Sequence, residues 1–146
     1  MFFVDETSII NKLQFFNEQL TILDTIHTIN SKIEEKAVER ISNCMIECVL
    51  DVGNALIDGF VMRDPGSYED IIDILEDERV ILSDNAVVLK AFIRFRKPLV
   101  RDYLEVNTVE LFTFLTNNKL VLQTFPILVE NYLSGQRHLY NTFIKK

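Results

Sequence analysis

Residues 44–60, CMIECVLDVGNALIDGF, constrain the fold more than any other stretch of the chain. Apolar residues recur at helical spacing but fall on nearly every face of the helix they describe. Such a helix cannot lie on a surface. It is expected to run through the middle of the molecule with other elements packed around it. It forms the second half of a longer helix expected over 32–61, whose first part, KIEEKAVER, is charged. Gly53 and Gly59 fall inside the apolar half. Glycine weakens a helix, so close packing against a neighbour would compensate for it, and Gly59 serves equally as a helix end.

The neighbours are legible as further helices. Ile9, Leu13, Phe16, Leu20 and Leu23 step by four and three, with Asp5, Glu6 and Thr7 in front as N-terminal signals, giving a helix over 7–26. Asp64-Pro65-Gly66-Ser67 is a turn, because proline presets one backbone angle and glycine tolerates another. Ser67 and Asp70 then resemble a capping box opening a helix near 68–78. Ser83 and Asp84 can start the next helix, which carries Val87, Val88, Leu89, Phe92 and Phe95 towards a basic stretch. There Pro98 is expected to kink or break the helix, since its ring clashes with the carbonyl of Arg94 and a hydrogen bond is removed. Asn107 with Glu110 opens a final helix over 108–133, with Pro126 as a bend and Gly135 as a stop. Residues 136–146, QRHLYNTFIKK, read as a basic tail that is mobile or a short helix. The expected fold class is all-α: one domain, 1–146, an antiparallel bundle of about five helices.

Composition agrees. A chain of 146 residues suits one domain with its own core, and 4 Gly and 3 Pro are too few for a turn-rich β fold. The formal net charge of -7 argues against a non-specific nucleic-acid coat but leaves room for a local basic site. Cys44 and Cys48 share a helix face, and two sulfurs alone make a poor metal site, so a reduced, buried pair is expected and no metal. The N-terminus MFFVDETS does not suit a signal peptide, and the run LVLQTFPILV is roughly half a membrane span. A cytoplasmic location with no membrane contact is therefore expected.

Two constellations stand out. Glu47, Asp51, Asn54 and Asp58 follow one another by four, three and four, a polar line within roughly 60° of arc on an otherwise apolar helix. Unpaired buried carboxylates are costly, so the line needs water or cations. It reads as structural ion pairing, as a solvated groove, or as one wall of a cleft holding Asp51, Asn54 and Asp58. The second constellation is RFRKPLVRDY, in which Arg94, Arg96, Lys97 and Arg101 crowd into a chain that is otherwise acidic. A guanidinium offers a planar fork of donors that grips phosphate in two places, so this cluster suits RNA or a nucleotide. Its bland counterpart is a surface helix balancing nearby acids.

The segment RKPLVRDYLEV resembles the signature of the HepT-like ribonucleases of the HEPN superfamily, the toxin half of bacterial toxin–antitoxin pairs. That signature is an arginine, four residues, a histidine, one residue and a tyrosine. Here it runs from Arg96 through Lys-Pro-Leu-Val to Arg101, Asp102 and Tyr103. ECVLDVGNALI and MRDPGSYEDIIDILEDERVI resemble the family's second helix and its following turn and helix, so the likeness covers most of the chain and is closest to the YutE-like branch. It implies a helical homodimer whose signature segments face each other around an RNA-cleaving cleft, without metal or cofactor. Arg96 would stabilise charge on the attacked phosphate. Tyr103 would be the residue that a nucleotidyltransferase antitoxin modifies with AMP. The family's histidine is Arg101 here. Imidazole moves protons near neutral pH, whereas guanidinium stays protonated and cannot act as a base, so the resemblance implies a phosphate-binding Arg101 and loss of the usual cleavage route. In the implied dimer two copies of Arg101 approach, with Asp51, Asp58 or a bound anion between them. Three functions remain open on the sequence: a ribonuclease with a substituted mechanism, a non-catalytic RNA- or nucleotide-binding module, and a protein-interaction module.

Overall fold

The central helix is surrounded, as its pattern requires. In a computed structural model, which describes residues 4–144 and side chains as far as Leu139, α2 (Lys32–Gly59) packs against α1 (Glu6–Leu23), α3 (Tyr68–Asp77), α5 (Arg96–Val100) and α6 (Thr108–Asn117). The remaining helices are α4 (Ser83–Arg94) and α7 (Lys119–Ile144), and a 3-10 turn spans Tyr103–Glu105. The described residues contain no strand. The core comes from every helix except α5, with Phe16, Phe92 and Phe125 fully enclosed. Phe16 of α1 meets Phe125 of α7 at 5.7 Å between ring centroids. The core also encloses Cys48, a free thiol whose pKa burial pushes up to about 11, while Cys44 is half-buried.

The start signals act as the side-chain chemistry demands. Asp5, Ser31, Ser67 and Asn107 each accept a hydrogen bond from the backbone N–H three residues on, satisfying a donor the helix leaves open. Only half of the capping box at Ser67 forms. The Asp70 carboxylate turns instead to the Gly66 N–H at 2.8 Å and to both terminal nitrogens of Arg63 at 2.7 and 2.8 Å. Gly53 confirms the packing argument: a Cβ there would lie 2.5 Å from Ile71 Cγ2, so α2 and α3 approach more closely than any side chain at 53 allows.

Two expected helices are divided. The fourth ends at Arg94, four residues before Pro98, because Pro98 has no N–H to offer the Arg94 carbonyl. The final helix divides at Asn118, whose side chain donates to the Phe114 carbonyl at 2.9 Å and closes α6. Gly135 does not stop α7, which continues to Ile144. No glycine here adopts positive φ, so Gly135 lacks the left-handed cap geometry that ends helices. Much of the stretch read as a basic tail thus belongs to α7, while Lys145 and Lys146 lie outside the described residues. Among those residues no helix is long and apolar enough to cross a membrane.

Candidate nucleic-acid interface

The basic stretch is held at one edge of the bundle by its own apolar residues. Phe95 and Leu99 are four apart and pack onto the core, and Phe95 meets Phe114 at 5.4 Å, beside the Phe92–Phe114 stack. With those two facing inward, Arg94, Lys97 and Arg101, spaced by three and four, fall on the outer side. They line a cleft of about 560 Å³ together with Arg96, and Ser67, Tyr68 and Glu69 from the start of α3 form its opposite wall. The Arg101 and Asp102 N–H groups both bond the Lys97 carbonyl, at 2.8 and 3.1 Å, and turn the chain out of α5.

Most of the positive charge here is already answered. Arg96 Nε donates to Glu47 Oε1 at 2.7 Å, and its Cζ lies 4.6 Å from the centre of the Tyr68 ring. The Glu47 bond, ahead of any other influence, holds the guanidinium pKa above its ordinary value. Arg94 pairs with Glu69 at 2.8 Å, and Lys97 stands 3.8 Å from Asp102. Among the described residues Arg101 has no ion-pair partner, and it is exposed. Lys90–Asp73 and Arg94–Glu69 are successive rungs between antiparallel α4 and α3, four residues apart on each, and they fix one wall against the other.

The sequence-derived candidates are only partly brought together. Arg94, Arg96, Lys97 and Arg101 share the cleft. Tyr103 lies beyond it on the 3-10 turn, 67% exposed, beside Leu104 at 89%. Asp51, Asn54 and Asp58 stand exposed on α2 and do not line the cleft in the single chain. Of the polar line only Glu47 meets a cation of the basic stretch. Tyr68 and Glu69 were not legible as site residues: an aromatic and an acid in a helix's first turn look like any surface pair. His27 is exposed between α1 and α2, and His138 lies on α7, so neither reaches the cleft.

The arrangement can hold an anion between Arg96 and Arg101. It contains no imidazole, and guanidinium supplies no base.

Comparison with known proteins places this geometry in context. A match to the family described as ribonuclease HepT-like spans residues 7–129, which includes the whole basic stretch. The candidate RNase YutE of Bacillus subtilis (strain 168) is 45% identical over 136 residues, covering 93% of this chain and 94% of that protein. A solved structure of YutE, described as a cytosolic protein of unknown function, aligns with a TM-score of 0.91 at 44% identity, over 93% of this chain and 95% of its own. A tri-AMPylated HEPN toxin of Shewanella oneidensis, in complex with an MNT antitoxin, aligns with a TM-score of 0.74 over 84% of this chain and 96% of its own; at 18% identity the likeness is one of fold.

Proposed function

The chain belongs to the HepT-like ribonuclease family, and from that premise we propose that its basic cleft binds an RNA phosphodiester, with Arg96 and Arg101 as the gripping residues. The observation that carries the reading is the shared cleft: Arg96 and Arg101, which stand at the arginine and histidine positions of the family signature, line one cavity. Arg96 serves to stabilise charge on phosphate, and Arg101 binds it without moving a proton. Cleavage by the family's histidine route is thereby lost, and the protein acts as an RNA-binding homologue of the toxin ribonucleases. Arg94 and Lys97 add to the field of the cleft but are partly neutralised by Glu69 and Asp102, so the attraction is local.

The assembly follows the same premise. The protein forms a homodimer with the two clefts facing, and exposed Val100, Tyr103 and Leu104 beside the basic stretch support a protein contact there. In that dimer Asp51 and Asp58, exposed on α2, would meet the partner's cations. Tyr103, well exposed, is the residue that a nucleotidyltransferase antitoxin would modify, and the location is cytoplasmic. A protein-interaction role without RNA is the second reading, favoured by the internal pairing of Arg94, Arg96 and Lys97.

The deciding experiment is the substitution Arg101→His. Restoring imidazole at that position should raise metal-independent cleavage of single-stranded RNA by about 100-fold or more over the parent, the usual scale of acid–base catalysis. RNA binding by the parent should weaken as salt rises, through counterion release. No RNA binding by the parent and no cleavage by Arg101→His would leave the protein-interaction reading.

A further inference from the structure

Arg96 is held in an unusual way for a residue that merely balances charge. A guanidinium paired only for neutrality commonly meets its carboxylate through two nitrogens, as Arg63 meets Asp70. Arg96 offers Glu47 its Nε alone, and its Cζ lies over the Tyr68 ring. Its two terminal nitrogens take no partner among the described residues. The fork that grips phosphate is therefore left open while the rest of the side chain is fixed.

Tyr68 is itself braced. It opens α3 directly after Ser67, whose hydroxyl caps the helix, and Asp70 ties this first turn to Gly66 and Arg63. The ring stays half exposed at the cleft wall, so it is not there to fill the core.

We propose that Tyr68 and Glu47 are positioning residues that orient Arg96, so that its two terminal nitrogens receive a single phosphate group in the cleft. The proposal rests on the phosphodiester reading above and specifies how that site is built. The cation–π contact and the Nε bond remove the freedom that a long side chain would otherwise lose on binding. Lysine at 96 would keep the charge but has one nitrogen in place of three, so a lysine held by Glu47 and Tyr68 leaves no planar fork for phosphate.

Two measurements test this. The first needs no RNA: in the nitrogen-15 spectrum of the full chain the Arg96 Nε–H should give a sharp signal, protected from exchange and shifted by the Tyr68 ring. Tyr68→Ala should abolish the ring shift and Tyr68→Phe should keep it. An unchanged signal in Tyr68→Ala overturns the proposal. The second uses a short fluorescein-labelled single-stranded RNA of mixed sequence. Tyr68→Ala should bind it about fivefold more weakly, the scale of a cation–π contact, with Tyr68→Phe within about twofold of the parent. Arg96→Lys should bind at least as weakly as Tyr68→Ala despite its charge. If the parent binds the RNA and Tyr68→Ala or Arg96→Lys binds it equally well, the positioning role falls and the phosphate site stands. If the parent binds no RNA, the phosphate site itself falls and takes the proposal with it.

Discussion

Helix α2 presents two working faces less than about two turns apart, and they are specified by different physics. At Gly53 it meets α3 by shape: a missing side chain lets Ile71 approach to where a Cβ would stand. At Glu47 it meets α5 by charge: one carboxylate oxygen holds Arg96 in a half-open cleft. The first contact is dry and tolerates almost no change of volume. The second is wet, so its energy is modest and its value lies in orientation. Substitutions on the two faces should accordingly fail in different ways.

The largest effect is expected on the shape-specified face. Gly53→Ala improves helix propensity, yet its methyl collides with a buried isoleucine, and overpacking of this kind costs about 1–3 kcal/mol. Urea denaturation should report a loss of stability, and Gly53→Leu should not fold. Because the clash is with Cγ2, Ile71→Leu, which moves the branch away from Cβ, should make Gly53→Ala less damaging than in the parent. Additive losses in the double mutant would break the claim that this contact is set by shape.

The same contrast explains what the sequence made legible. The dry face announces itself, since a helix apolar on nearly every side with a glycine in its middle predicts a tightly packed neighbour. Caps were readable for a similar reason, as Asp5, Ser67 and Asn107 act on N–H groups only three residues away. The division at Asn118 was not, because Asn117-Asn118 suits an exposed turn of helix as well as an end. The wet face was half readable. The spacing from Arg96 to Tyr103 marked the site, but which member of the polar line would meet Arg96 depends on how α5 docks, and that is set by Phe95 and Leu99 at a distance. Glu47 rather than Asp51 is a tertiary outcome, as is the approach of Tyr68.

A second prediction concerns the turn that joins α2 to α3. Arg63, donating two bonds, and then the Gly66 N–H lower the Asp70 pKa from its ordinary 3.8 to about 2. A carboxylate depressed on folding adds stability that is present above its unfolded value and is lost as pH falls through its folded one. This contribution should therefore be whole above pH 4, decline between about pH 4 and 2, and vanish in Asp70→Asn. Thermal melts of parent and variant should diverge at neutral pH and converge as pH approaches 2. A constant gap across that range would mean that Asp70 acts only through shape.

A third serves as a control lying on neither face. Val61, just past the end of α2, has φ 55° and is 78% exposed, a left-handed conformation that strains a β-branched residue. It occupies the position where helices favour glycine, with the Met62 N–H returning to the Ile57 carbonyl. Val61→Gly should raise stability by about 1 kcal/mol, read as a higher melting temperature. It should leave RNA binding unchanged, which separates global stability from the state of the cleft.

The smallest stability effect is expected at Glu47, and it sharpens the comparison most. Glu47 and Arg96 are both solvent-accessible, so Glu47→Gln should cost less than about 1 kcal/mol, the usual range for surface pairs. Its effect on the cleft has two opposing parts. Removing a negative charge raises the local field, so RNA affinity at low salt should increase and fall more steeply as salt is added. Loosening the guanidinium should at the same time reduce the cleavage gained in an Arg101→His background, because that step needs Arg96 aimed at the phosphate rather than merely near it. Tighter binding with slower cleavage is the signature of a carboxylate that orients. If binding and cleavage rise together, Glu47 is only a counter-charge, and the wet face of α2 contributes no geometry to the site.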